Sequence, residues 1–132
     1  LRRARCHAAV RAWADAQAPQ LLYLSRITLA EIRYGIERQP DPQLQTRLQA
    51  WLDDRLRPWF EGRILQLSED VILEWRRMVQ RGKARGYTFP QPDLLIAATA
   101  AVAGLRVATR NVADFVQTGV PALNPWTGEN VG

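Results

Sequence analysis

The sequence predicts a layered α/β fold with a mainly parallel sheet. Three observations predict it. Helical stretches alternate with short apolar runs through most of the chain. Helix-stopping and helix-starting residues sit at the joins between those segments. The length, 132 residues, with 47% hydrophobic and 23% charged residues, is that of one ordinary globular domain with a single core.

The elements follow in order. Val10, Trp13 and Ala14 mark a helix from the N-terminus to about Gln17, closed by Pro19. Leu21 to Ser25 is an apolar run suited to a buried strand. Ile27, Leu29, Ile32 and Ile36 predict a helix with Thr28 near its start. The run Gln39-Pro40-Asp41-Pro42 breaks that helix and begins another. Leu44, Leu48, Trp51, Leu52, Leu56, Trp59 and Phe60 recur at three- and four-residue steps, and Pro58 is expected to kink or end this helix.

Gly62 precedes a second strand candidate, Arg63 to Leu67. Ser68, with Glu69 and Asp70 behind it, reads as an N-cap and acidic first turn. That helix, carried by Val71, Ile72, Trp75, Met78 and Val79, reaches the Lys83–Gly86 region. Tyr87 to Pro92 is a loop, and Asp93 to Ala103 an Ala-rich helix closed by Gly104. Leu105 to Thr109 and Val120 to Leu123 complete the strand candidates.

Composition removes several function classes. No apolar run is long enough to span a bilayer. One cysteine, Cys6, allows no internal disulfide and fits a reducing, cytoplasmic setting. One cysteine and one histidine, His7, leave no Cys/His zinc site, and a hydrolase triad only through His7. The formal net charge of +5 suits an anionic partner.

Parallel sheets place ligands at the carboxyl ends of their strands. Three acids fall there. Glu31 follows the first strand candidate, Asp93 opens the Ala-rich helix, and Asp114 follows the Leu105–Thr109 strand. Each has an ordinary alternative. Asp93 is a good N-cap or first-turn acid, Glu31 a first-turn carboxylate, and Asp114 a turn cap or partner of Arg110. Together, with no His or Cys among them, they suit a hard cation held by oxygen, Mg²⁺ or Mn²⁺. Such an ion serves phosphodiester hydrolysis.

The chain resembles the PIN-domain family, and within it the VapC/FitB-type ribonuclease toxins of bacterial toxin–antitoxin pairs. The resemblance lies in ordered blocks: Tyr23-Leu24-Ser25 with Thr28 to Ile36, Phe60 to Leu65, Pro92 to Ala100, Val107 to Phe115, and Leu123 to Trp126. It implies a three-layer α/β/α fold and a metal-dependent endoribonuclease. It implies that Glu31 and Asp93 are metal-binding, catalytic carboxylates. The fourth position is shared between Asn111, the better positional match, and Asp114, the better acid, with Thr109 as a supporting hydroxyl. The resemblance also implies a homodimer, and an antitoxin that occludes the acidic groove with a basic side chain.

One feature departs from the family pattern. The family opens with a strand ending in Asp-Thr-Asn, whose Asp is a central ligand. This sequence opens at Leu1, without Met and with no signal-peptide pattern, inside what reads as a helix. The expectation is a single domain over residues 1–132 lacking that first, central strand.

Arg2, Arg3, Arg5 and Arg11, and separately Arg76, Arg77, Arg81, Lys83 and Arg85, read either as contacts to RNA phosphate or as solvated faces. Trp51, Trp59 and Trp75 read as core or interface. The alternative to the nuclease is a catalytically impaired PIN-like module that dimerises and binds an antitoxin without cutting. A helix-turn-helix regulator ranks last, because the Ala-rich helix has no polar recognition face.

Overall fold

A computed structural model describes residues 16–132. The predicted first helix, Cys6, His7 and the Arg2–Arg11 cluster lie outside the described residues.

A 3₁₀ turn, Pro19–Leu21, leads into β1, Leu24–Ser25. Helix α1, Arg26–Glu37, follows at once. Its N-cap is Ser25, whose Oγ accepts the Thr28 amide at 3.0 Å, so the strand ends where the cap begins. Helix α2, Pro42–Trp51, is capped by Asp41, which accepts from the Gln43 amide. A π-helical segment, Leu52–Leu56, joins it to the short α3, Arg57–Trp59. Pro58 therefore lies inside a continuous helical run, directly after the π-helical segment, and the run ends one residue later at Trp59, in keeping with its expected effect.

Strand β2, Ile64–Leu65, pairs parallel with β1 in the register Leu24–Ile64 and Ser25–Leu65. Helix α4, Glu69–Ala84, starts on the Ser68 cap as predicted. Helix α5, Asp93–Ala103, ends on Gly104, whose φ of 69° is the left-handed region that glycine enters freely. Strand β3, Val107–Ala108, pairs parallel with β4, Ala122–Leu123. Between them lies a four-residue helix, α6, Ala113–Val116. Strand β5, Asn130–Val131, pairs antiparallel with β4. The sequence pattern shows neither α6 nor β5, because each is too short to carry a period.

The mainly parallel sheet is thus present in two pieces, β1–β2 and β3–β4–β5. The strands are shorter than the apolar runs that mark them. Each piece has its own core. Leu29, Ile36 and Leu52 cluster beneath β1–β2, with Leu48, Leu56 and Ile64 against them. The larger core gathers Val71, Met78, Phe89, Leu94, Ala97, Ala98, Val107 and Phe115, with others. Helices α1 and α5 meet and join the two. Both β1 and β3 line a groove of about 490 Å³ whose wall includes Ile96, Thr99 and Ala100 of α5. No helix among the described residues is long and apolar enough to cross a membrane.

Trp51 and Trp59 are 42% and 48% exposed, so neither is core. Trp75 is half-buried against the larger core. The basic face of α4 is partly consumed internally. Arg77 and Arg81 bracket Glu74, and Arg85 holds both the side chain and the carbonyl of Gln117.

Gly82 is a tight point. A Cβ there would lie 2.5 Å from the Phe89 ring and 2.9 Å from the Tyr87 carbonyl oxygen. Helix α4 can fold the following loop back onto itself only because that atom is missing. Gly82→Ala should lower stability by about 1–3 kcal/mol despite the better helix propensity of alanine. Chemical denaturation of both proteins checks this, and an unchanged or raised midpoint contradicts it.

Candidate active site

The predicted site residues come from three elements that start at strand ends. Glu31 lies in the second turn of α1 and is exposed. Asp93 is the first residue of α5 and is half-buried. Asp114 is in the first turn of α6, also half-buried, and Asn111 sits on the loop between β3 and α6.

The Asp93 carboxyl feels the other two. The Asp93 carboxyl is held above its ordinary pKa, first by burial, then by the negative charge of Asp114, then by that of Glu31. None of the three carboxylates enters a hydrogen bond or ion pair with another described residue, in a protein carrying 18 Lys and Arg. The ordinary alternatives fare differently. The residue capping α5 is Pro92, which offers no side-chain bond, so Asp93 is not the N-cap but the first-turn acid, the other place the sequence allowed it. Glu31 lies past the first turn, where the helix dipole has faded. Asp114 does not pair with Arg110, whose guanidinium lies 4.5 Å from the centre of the Trp126 ring.

The loop after β3 is held by its backbone. The Thr109 amide donates to the Leu123 carbonyl at 2.9 Å, continuing the β3–β4 pairing. The Asn111 amide donates to Thr109 Oγ1 at 3.1 Å, and the Asp114 amide to the Asn111 carbonyl at 3.0 Å. Thr109 Oγ1 therefore helps to hold the loop that carries Asn111. Of the two candidates for the fourth position, Asp114 is the one whose charge reaches Asp93.

Among the described residues, no three His, Cys, Asp or Glu side chains are already close enough to hold a metal ion. The structure brings the carboxylates into one field without closing them into a ligand set. The donor chemistry still fits a hard divalent cation. All donors are oxygen, and the like charges crowding Asp93 are the condition a cation relieves. Mg²⁺ keeps several waters and needs only one or two carboxylates, so an open set is compatible with it.

Two polar supports escaped the sequence reading. Ser25 Oγ donates to Thr28 Oγ1 at 2.9 Å while capping α1, tying the end of β1 to the helix that carries Glu31. Asn124, buried just after β4, donates from Nδ2 to the Arg110 carbonyl at 3.1 Å. The signal for the second was an Asn-Pro pair directly after an apolar strand, a turn-starting combination.

Comparison with known proteins fits this arrangement. The PIN domain family matches residues 1–120. The VapC ribonuclease Y4jK of Sinorhizobium fredii is 37% identical over 118 residues, covering 89% of this chain and 84% of that protein. The toxin FitB of Neisseria gonorrhoeae is 35% identical over 115 residues, covering 87% and 83%. The crystal structure of FitAcB from Neisseria gonorrhoeae matches with a TM-score of 0.85 at 34% identity, over 91% of this chain and 86% of that one. With the family matched over most of its length, and relatives of this identity in both sequence and fold, this chain belongs to the PIN-domain family, as a relative of the VapC and FitB toxins.

Proposed function

We propose that this protein is a metal-dependent endoribonuclease toxin that hydrolyses RNA phosphodiester bonds and is neutralised by a cognate antitoxin. The observation that carries this is Asp93, a half-buried carboxyl with no side-chain bond among the described residues that also feels the charges of Asp114 and Glu31. Like charges gathered around a half-buried carboxyl cost stability. Their retention points to use. The similarity to a VapC ribonuclease supports RNA as the substrate.

Glu31, Asp93 and Asp114 supply the negative charge that holds Mg²⁺ or Mn²⁺, and Asn111 offers a neutral carbonyl oxygen. The ion, when bound, polarises the scissile phosphate and lowers the pKa of a water. Asp93, half-buried, holds its carboxylate where solvent competes less. The remaining cations, Arg76 and Lys83 on α4 among them, serve the RNA backbone. Strands β1 and β3 both border the groove, and among the described residues each pairs on one side only. The setting is the cytoplasm, where RNA and a reduced Cys6 are both expected.

The alternative, a PIN-like module that pairs and binds an antitoxin without cutting, has one observation in its favour: the carboxylates are not closed into a ligand set. Both readings require partners, and exposed Trp51 and Trp59 on the α2–α3 run supply apolar surface for them. A homodimer would bury the same patch from each subunit.

Three outcomes are expected. RNA cleavage by the purified protein requires Mg²⁺ or Mn²⁺ and stops in excess chelator; undiminished cleavage there removes the metal mechanism. Asp93→Asn abolishes cleavage yet melts at or above the parent at neutral pH. The sign follows from the raised pKa. A carboxyl whose pKa is higher folded than unfolded favours the fold only while protonated, and that contribution is lost as pH rises through the folded value. The gap between the two melting temperatures should therefore close as pH falls to about 4, the ordinary carboxyl range. Full activity in this variant would return Asp93 to a purely structural role. Sedimentation at micromolar concentration should show a dimer, and co-purification with the small protein encoded beside it should suppress cleavage. A monomer, or a tight complex that still cuts RNA, contradicts the corresponding half.

A further inference from the structure

Asn124 spends its whole side chain on two bonds. Nδ2 donates to the Arg110 carbonyl at 3.1 Å, and Oδ1 accepts the Trp126 amide at 2.8 Å. Its backbone is equally committed. Its amide donates to the Glu129 carbonyl, and its carbonyl accepts from Thr127 and Gly128. At 6% exposure it is one of the few buried polar residues of the described chain. A buried amide with both ends satisfied fixes geometry strongly, because losing either bond strands a polar group away from water.

The two segments it joins are the loop 109–112 and the C-terminal turn 124–128. A second contact closes the same bracket, since the Arg110 guanidinium lies over the Trp126 ring. The Trp126 indole Nε1 is buried with no partner, so the ring is placed for its face. Beyond Arg110 the loop runs into Asn111 and Asp114, themselves linked by the Asp114 amide to the Asn111 carbonyl. Asn111 and Asp114 therefore hang from a loop braced from one side by Asn124. Among the described residues, neither has a side-chain bond of its own to hold it.

We infer that Asn124 is a positioning residue for the acidic site: through the Arg110 carbonyl it sets where Asn111 and Asp114 meet a divalent cation. This rests on the proposed metal-dependent function. Groups that hydrogen-bond a metal ligand directly are typically worth roughly 10–100-fold in metal affinity, and Asn124, acting at one remove through the loop backbone, is expected at the lower end. Asn124→Asp keeps the acceptor for the Trp126 amide, replaces the donor to Arg110 by an oxygen and adds a buried negative charge, so Asn124→Ala is its charge-neutral control. Asn124→Ala removes both.

The test uses Mn²⁺ as probe, its binding followed by electron paramagnetic resonance, beside amide hydrogen exchange on the full chain. In Asn124→Asp the exchange of the Asn111 and Asp114 amides should accelerate, while amides of α4 and α5 keep their protection. Mn²⁺ affinity should fall about tenfold, and Asn124→Ala should fall at least as far. Faster loop exchange with unchanged Mn²⁺ affinity overturns the inference. So does acceleration spread evenly over the chain, or failure of both variants to fold, since Asn124 would then serve global stability. If the parent protein itself binds no Mn²⁺, the metal reading fails and the inference with it; the parent thus separates that failure from an affinity unchanged by the variants alone.

Discussion

Helix α5 can touch α1, α4, α6 and β3 at once only because it is thin. Its buried side includes Ala97, Ala98 and Ala100, with Thr99 folding its hydroxyl back onto the Leu95 carbonyl at 2.8 Å. Methyl-sized side chains let the neighbouring elements approach its backbone, and Leu94 fills the space at its first turn. The approach of α1 is what brings Glu31 toward Asp93. A bulkier helix here would separate α1 from α6 and, with them, the carboxylates.

That closeness costs something. Asp93 opens the helix in a half-buried place and faces two like charges, and its raised pKa records the cost. The helix N-terminus repays part of it through its dipole. Elsewhere Asp53 pairs with Arg57, Glu74 with Arg77 and Arg81, and Asp41 caps α2, while Glu37, Asp54, Glu61, Glu69, Asp70 and Glu129 are exposed to water. What sets the candidate site apart is that Asp93 and Asp114 are half-buried without a side-chain bond among the described residues, and that the charges of Asp114 and Glu31 reach Asp93.

Much of this was legible in the sequence, for identifiable reasons. Helices α1, α4 and α5 are long enough to show period and caps, so Ser68, Gly104 and the Ala-rich stretch announced them. Glu31, Asp93 and Asp114 were legible because each stands out among apolar neighbours next to a strand. What was not legible is what depends on distance along the chain. No local pattern tells that Asn124 reaches back to Arg110, or that Arg110 prefers Trp126 to Asp114. Of the two places the sequence allowed Asp93, N-cap and first turn of α5, it takes the second, because Pro92 occupies the cap. The π-helical turn before Pro58 left no signature, since its residues keep the apolar spacing of the helix around them.

The two cores have a mechanical consequence. Glu31 is carried by the helix that roots in the smaller core, while Asp93, Asn111 and Asp114 are rooted in the larger. Neither core alone sets the span across the acids; the seam where α1 meets α5 does. A modest rotation of one half against the other would open or tighten the acids as a jaw does, with each half keeping its own packing. Small strains at that seam are therefore amplified at the site, and a segment wedged into the groove beside β1 and β3 would act on the jaw's setting as directly as any group touching the carboxylates.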